Sequence, residues 1–321
     1  MAGHAWTVWP LVRDRLRPEQ APPAVAWSTP ASNLDPERPM PPVPVHVTGL
    51  LATVDPRRLA ILVHGLGGCR DSRYLRRAAR QIADEGWSSL RLDLRGADGS
   101  GSDLYHAGLS ADLAAAVADP ALADFEQIVL LGFSLGGHLV LRYATETTDP
   151  RVIAAAAICS PVDLASTVDI FDAPAGAVYR RYVLSGLKRT YRQIAARQPV
   201  PTPIERIEMV TRIREWDELT VVPRFGFGSA DHYYASQSVA PRLEGLRIPA
   251  LLVASERDPM VDIESIRHAL PTAGDRLTVR LLHAGGHVAF PERVDLHLQP
   301  RAGRPLHAGV VGQAMRWLAS R

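Results

Sequence analysis

Lysine is almost missing from this chain: Lys188 is the only one, and every other strong cation is arginine. A phosphate-cradling loop needs Gly-Lys-Ser/Thr, and Lys188 follows Leu187, so that loop is excluded. Pyridoxal phosphate would have to use the same lysine, which sits in an Arg- and Tyr-rich stretch of helical pattern, so no such cofactor is expected. Cysteine is scarce as well. Cys69 and Cys159 are too few for a disulfide framework and their separation offers no paired metal-ligand spacing, which fits a reducing compartment. Neither sign of charge dominates: 36 Lys and Arg face 34 Asp and Glu, leaving a net +2, so a protein held to nucleic acid by counterion release is not expected. The longest apolar stretch, near Val152 to Cys159, falls far short of the roughly eighteen residues of a membrane span. The first seventeen residues carry Trp6 and Trp9 but no basic start followed by an apolar run, so no signal peptide is read there. A soluble, cytoplasmic protein without an integral membrane segment is the expectation, its oligomeric state left open.

With 46% hydrophobic and 22% charged residues over 321 positions, the chain can bury a large core as one domain or as a domain with an insertion. Residues 1–44 are crowded with proline, including Pro22-Pro23 and Pro41-Pro42, and read as an extended, irregular leader packed on the core. Strands are expected at Val45 to Val54, Leu59 to Val63, Ser88 to Leu94, Gln127 to Gly132 and Val152 to Cys159. Helical patterns lie between them: one capped by Asp71 or Ser72 and closed by Gly86, then Leu109 to Ala118 and Leu135 to Thr145. Continuous apolar strands separated by helices predict an α/β fold with a mostly parallel sheet covered on both faces. The rhythm breaks over residues 161–241, where helical stretches such as Tyr179 to Arg197 replace strands, and resumes over 242–321 with strands at Pro249 to Ala254 and Leu277 to His283 and helices at Ile263 to Leu270 and Gly309 to Ala319. The expected organisation is therefore a core of 45–160 and 242–321 with a helical lid at 161–241.

The chemistry centres on Gly132-Phe133-Ser134-Leu135-Gly136, a G-x-S-x-G pentapeptide. It falls where the apolar run Ile128 to Leu131 ends and a helical pattern begins, the setting in which a serine is forced into a strained, exposed turn. A serine hydroxyl needs a base within hydrogen-bond reach, and the base needs a group to fix its tautomer. Asp258, in Glu256-Arg257-Asp258-Pro259, follows a strand at the sheet edge where open α/β folds place their sites; Asp262 and Asp163 are its rivals. His287, in Gly285-Gly286-His287-Val288, follows the next strand, and the order Ser134, Asp258, His287 is that of a nucleophile, acid and base on such a sheet. His283 stands four residues before it, but Gly285-Gly286 intervenes and argues against a helical pair of metal ligands. Oxyanion donors are expected from the Leu135 amide and from His64-Gly65-Leu66-Gly67-Gly68, with Leu66 the first choice and His64 holding the loop. Those glycines do not complete a dinucleotide fingerprint, because Arg70 stands where its last glycine belongs.

Taken together, the sequence resembles the α/β-hydrolase superfamily, and within it the YheT-like branch that also contains mammalian ABHD-type proteins. The residues carrying the resemblance are His64-Gly65-Leu66-Gly67-Gly68, Leu94-Arg95-Gly96 with Tyr105-His106-Ala107-Gly108, Gly132 to Gly137, Phe225-Gly226-Phe227 with Tyr233-Tyr234-Ala235-Ser236, Asp258-Pro259 and Gly285 to Val288. What it implies is a serine-dependent carboxylic ester hydrolase without cofactor or metal, acting on a small-molecule or lipid acyl ester through Ser134, Asp258 and His287. Acyl transfer, or ligand binding with negligible turnover, are the alternatives on the same scaffold. None of the eleven histidines has an aspartate five positions on, so the H-x-x-x-x-D motif tied to acyl transfer in parts of the superfamily is absent. Phe171, Tyr179, Tyr182, Tyr191, Trp216, Phe225, Phe227, Tyr233 and Tyr234 enrich the 161–241 stretch in aromatics, compatible with an apolar acyl pocket or with plain packing onto the sheet. Arg180, Arg181, Lys188, Arg189 and Arg192 read as a solvated helix face rather than a site for an anionic head group.

Overall fold

The structure is a computed structural model that describes residues 3–7, 20–31, 44–298 and 309–321. Its centre is an eight-stranded sheet in the order β1-β2-β4-β3-β5-β6-β7-β8. The strands are β1 (Val25–Pro30), β2 (His46–Ala52), β3 (Arg58–Val63), β4 (Ser88–Asp93), β5 (Gln127–Phe133), β6 (Val152–Ile158), β7 (Ala250–Ser255) and β8 (Leu277–Leu282). β1 and β2 pair antiparallel at one edge, and all pairings from β4 across to β8 are parallel. The middle strands are apolar throughout because both their faces are covered. In β3 the side chains of Leu59, Ile61 and Val63 enter one core, while Ala60 and Leu62 enter the other, as the two-residue period of a strand requires. Helices Arg73–Asp84 and Gly309–Leu318 close the second core, and helix Leu135–Glu146 packs in the first.

β1 departs from the irregular path that the proline content of residues 1–44 suggests. Trp27 and Thr29 point inward while their neighbours face solvent, and the only proline within the strand stands at its end, paired with His46 on an edge that tolerates a missing donor. The prolines of 32–43 lie outside the described residues, as do residues 8–19. Ser72 precedes helix Arg73–Asp84, but its hydroxyl accepts from the Cys69 amide at 3.0 Å rather than from the helix. Between β6 and β7 the described chain is helical, with Leu164–Asp172, Ala177–Ala195, Ile204–Met209, Ile213–Leu219, Val221–Phe225 and Ala230–Gln237. This layer is fastened to the core through the loop after β4. The Arg224 guanidinium grips buried Asp103 at 2.8 and 3.0 Å, and Asp103 and Asp112 flank Arg95, whose Nη2 lies 2.6 Å from Asp112. His106 from the same loop is ringed by Phe225, Phe227 and Tyr233, so these aromatics are engaged in packing the helical layer down. Of the basic run, Arg180 and Lys188 donate to backbone carbonyls and Arg192 pairs with Glu208. No helix among the described residues is long and apolar enough to cross a membrane.

Candidate active site

β5 ends in Phe133 and the helix Leu135–Glu146 begins two residues on, so Ser134 alone makes the turn, with φ 53° and ψ −123°. A side chain at positive φ is strained, and the surroundings hold it there. The Ser134 amide donates to Ile158 at 2.9 Å, tying the turn to β6, and its carbonyl accepts from Gly137 and His138, which starts the helix. Glycine is required where the backbones close up. A Cβ on Gly132 would stand 2.1 Å from the Gly136 carbonyl oxygen, and one on Gly136 would stand 2.3 Å from that of Val63. With both backbone groups engaged, only the hydroxyl of Ser134 is left to act. It faces the loop after β3, where a Cβ on Gly65 would lie 3.4 Å from Ser134 Oγ.

That loop is held by two tyrosines. The Gly65 amide donates to the Tyr74 hydroxyl at 2.9 Å, and the Gly67 amide to the Tyr105 hydroxyl at 2.7 Å. Gly68 donates to the Gly65 carbonyl and Cys69 to Ser72, which leaves the Leu66 amide as the one N–H from 65 to 69 without an acceptor among the described residues. Burial pushes Tyr74 up to about 12 and raises Tyr105 as well, so both hydroxyls keep their protons. His64 anchors the base of the loop: its Nδ1 donates to the Gly65 carbonyl at 2.8 Å while its Nε2 accepts from the Leu94 amide at 3.2 Å. Burial lowers its pKa to about 4, in keeping with that neutral tautomer.

Asp258 and His287 meet at the carboxyl ends of β7 and β8. His287 Nδ1 lies 2.9 Å from Asp258 Oδ2 and 3.1 Å from Oδ1, which makes Nδ1 the protonated nitrogen and leaves Nε2 as the free base. The carboxylate is 2% exposed and the imidazole 8%. The rival acids are occupied elsewhere: Asp163 caps helix Leu164–Asp172, and Asp262 caps helix Ile263–Ala269. His283 is exposed and pairs with Glu256. Among the described residues no group of three or more His, Cys, Asp and Glu is arranged to hold a metal.

The turn of Ser134 and the loop of His287 are each tied to the end of β6, at the consecutive residues Ile158 and Cys159. Ile158 receives the Ser134 amide, and the Cys159 thiol donates to the Gly286 carbonyl at 3.4 Å. Burial and the adjacent Asp258 carboxylate raise the thiol well above its ordinary value, so it remains a neutral donor. Ser134 Oγ and His287 Nε2 each make no hydrogen bond among the described residues; such bonds commonly tighten only when substrate is present. The sequence assigned no part in the site to Tyr74, Tyr105 or Cys159, because the amides and carbonyl they bond to are brought to them only by the folded sheet.

Comparison with known proteins bears on the family and the fold. The family described as "alpha/beta hydrolase fold" matches residues 61–294. YheT of Escherichia coli (strain K12) is 29% identical over 249 residues, covering 74% of this chain and 72% of that protein. The monoacylglycerol lipase of Saccharomyces cerevisiae is 26% identical over 64% of this chain, which spans only 49% of the length of that lipase. Among solved structures, the Pyrococcus furiosus esterase Pf2001 superposes with a TM-score of 0.55 at 16% identity, over 83% of this chain and 85% of the esterase. With its elbow serine, its sheet order and a family match reaching from β3 past His287, the chain belongs to the α/β-hydrolase fold family.

Proposed function

We propose that this protein is a serine-dependent hydrolase of carboxylic esters that works through an acyl-enzyme. The observation that carries the reading is the pairing of His287 Nδ1 with the buried Asp258 carboxylate, which leaves Nε2 basic on the same sheet edge as the half-buried elbow serine, Ser134. Ser134 Oγ attacks the ester carbonyl carbon and its proton passes to His287 Nε2. The imidazolium is stabilised by Asp258 while the carbonyl oxygen becomes an oxyanion facing the Leu66 and Leu135 amides. Collapse breaks the bond to the alkoxide oxygen, which takes the proton from Nε2 and leaves as alcohol. Water, deprotonated by the same nitrogen, then attacks the acyl carbon; collapse breaks the bond to Ser134 Oγ, which takes the proton back from Nε2 as the acid departs. The esterase and lipase names among similar proteins support an ester substrate, either a small molecule or an acyl lipid. Residues 161–241 act as the lid in this reading, since the helix Ala177–Ala195 lies on the donor loop with Gly186 against Gly67. The free thiols Cys69 and Cys159 support a reducing, cytoplasmic setting.

The test is Ser134→Ala assayed with p-nitrophenyl esters of graded chain length and with a fluorophosphonate probe. Turnover and labelling are expected to vanish while the fold, followed by circular dichroism, is kept. Residual turnover equal to that of the natural protein would refute the proposal. Product analysis with added alcohols separates hydrolysis from acyl transfer.

A further inference from the structure

Residues 3–7 form a short helical turn lying against both loops of the acid–base pair, more than 250 residues away along the chain. Thr7 Oγ1 accepts the backbone N–H of His287 at 2.9 Å and donates its own hydrogen to the Gly3 carbonyl at 2.9 Å. The hydroxyl is thereby fixed in direction, with a lone pair committed to His287. The packing around it leaves no slack. A Cβ on Gly286 would stand 2.3 Å from the Gly3 carbonyl oxygen and 2.6 Å from Thr7 Oγ1, and a Cβ on Gly3 would stand 1.8 Å from the carbonyl oxygen of Arg257, the residue before Asp258. On its other side, His4 Nδ1 meets the Tyr179 hydroxyl at 2.7 Å, and the two rings stack at 5.7 Å with 12° between their planes. Tyr179 belongs to the helix Ala177–Ala195 that reaches the donor loop.

The loop carrying His287 needs this support. It has Gly285 at φ 120° and Val288 at φ 52°, and its internal bonding is a single contact from the Gly286 amide to the Ala289 carbonyl. Glycine accepts its angle freely, but a β-branched residue at positive φ keeps one conformation only where neighbours impose it.

We infer that the turn of residues 3–7 is part of the active site, with Thr7 as a positioning residue that holds the His287 backbone so that the imidazole stays on Asp258. The inference rests on the reading of His287 as the base and adds to it an element that the motifs do not contain. Thr7 touches no reacting atom; it acts through His287.

Thr7→Val keeps the shape and removes both hydrogen bonds, whereas Thr7→Ser keeps the hydroxyl. In the full chain, with p-nitrophenyl esters, Thr7→Val is expected to lower kcat by roughly three- to tenfold with KM little changed, the size of one hydrogen bond. A base less firmly paired with its carboxylate protonates less readily, so the acidic limb of the kcat profile moves to lower pH. Thr7→Ser is expected to restore both. Gly3→Ala, whose Cβ cannot fit against Arg257, is expected to reproduce the Thr7→Val phenotype by displacing the turn. Natural kcat and an unmoved acidic limb in Thr7→Val overturn the inference, as does loss that Thr7→Ser fails to rescue. His287→Ala separates the two levels: full turnover in that variant sinks the base assignment itself, while a dead His287→Ala beside a fully active Thr7→Val sinks only the role of the turn.

Discussion

Replacing Gly136 by alanine sets two effects of opposite sign against each other. Gly136 is the second residue of the helix Leu135–Glu146, where alanine would ordinarily stabilise by up to about 1 kcal/mol through a less flexible unfolded chain. Here the new methyl would stand 2.3 Å from the Val63 carbonyl oxygen, 2.5 Å from that of His64 and 2.6 Å from the Val63 carbonyl carbon. All three are backbone atoms at the end of β3, so no side chain can swing aside, and the strand end and helix start must part by about 1 Å to regain an ordinary contact. Overpacking of that kind costs about 1–3 kcal/mol and rises further against rigid backbone, so the clash outweighs the propensity gain. The net loss, about 2 kcal/mol, corresponds to a fall in Tm of roughly 3 °C for a chain of this size. The displacement falls on the segment joining β3 to the Leu66 loop, so ester turnover should drop by about a hundredfold, the effect of misplacing a reacting group by an ångström. Gly245→Ala, where nothing lies within 4 Å, is the control and should leave both quantities unchanged. Calorimetry and steady-state ester cleavage of the two variants decide the matter. A Gly136→Ala protein as stable as the parent, with kcat within about twofold, would show that the close approach of β3 and the elbow helix does not set the geometry of the site.

Two further outcomes follow from the buried charges. Burial pushes Asp217 up to about 7 in the folded protein, while the Tyr234 hydroxyl donates to its Oδ2 at 2.6 Å. A carboxyl whose folded pKa lies above its unfolded value of about 4 favours the native state below pH 4 and loses that advantage as pH rises through 7. Asp217→Asn keeps an oxygen for Tyr234 without the charge, so its Tm should match the parent near pH 4.5 and exceed it by roughly 5 °C at pH 8; an offset equal at both pH values would refute the assignment. Arg224→Ala removes the forked partner of Asp103 and leaves that buried carboxylate Arg95, with a contact at 3.5 Å, as its cation among the described residues. A loss of about 2 kcal/mol is expected, with faster proteolytic cutting within residues 161–241, and Arg224→Lys should rescue little because an ammonium cannot make the two-pronged contact. Unchanged proteolysis in Arg224→Ala would show that this ion pair does not fasten the helical layer.

The central strands and the elbow were legible because their patterns are local. Five consecutive apolar residues in Leu59 to Val63, or four in Ile128 to Leu131, between turn signals leave little choice but a strand buried on both faces. β1 was not legible, because Pro22-Pro23 and the prolines after residue 30 obscure an alternation that runs for only six residues. In the same way, the Asp258 and His287 positions could be read from their places after successive strands, whereas nothing near Tyr105 or Thr7 indicates which distant amide its hydroxyl will receive. Those bonds join residues 38 and 280 positions apart, and they depend on where the finished sheet delivers each loop. Asp163 and Asp262 illustrate the reverse case: each precedes a helix, and a capping reading would have removed both as competitors from sequence alone.

The meeting of Gly67 and Gly186, with 3.0 Å between a Cβ on Gly186 and the Gly67 oxygen, has a kinetic corollary. Two bare backbones in contact transmit displacement without the cushioning of side chains. An acyl chain long enough to lift the helix Ala177–Ala195 would drag the peptide next to Leu66 with it. If the protein cleaves acyl esters as proposed, its chain-length preference would then be written in turnover number rather than in apparent affinity alone.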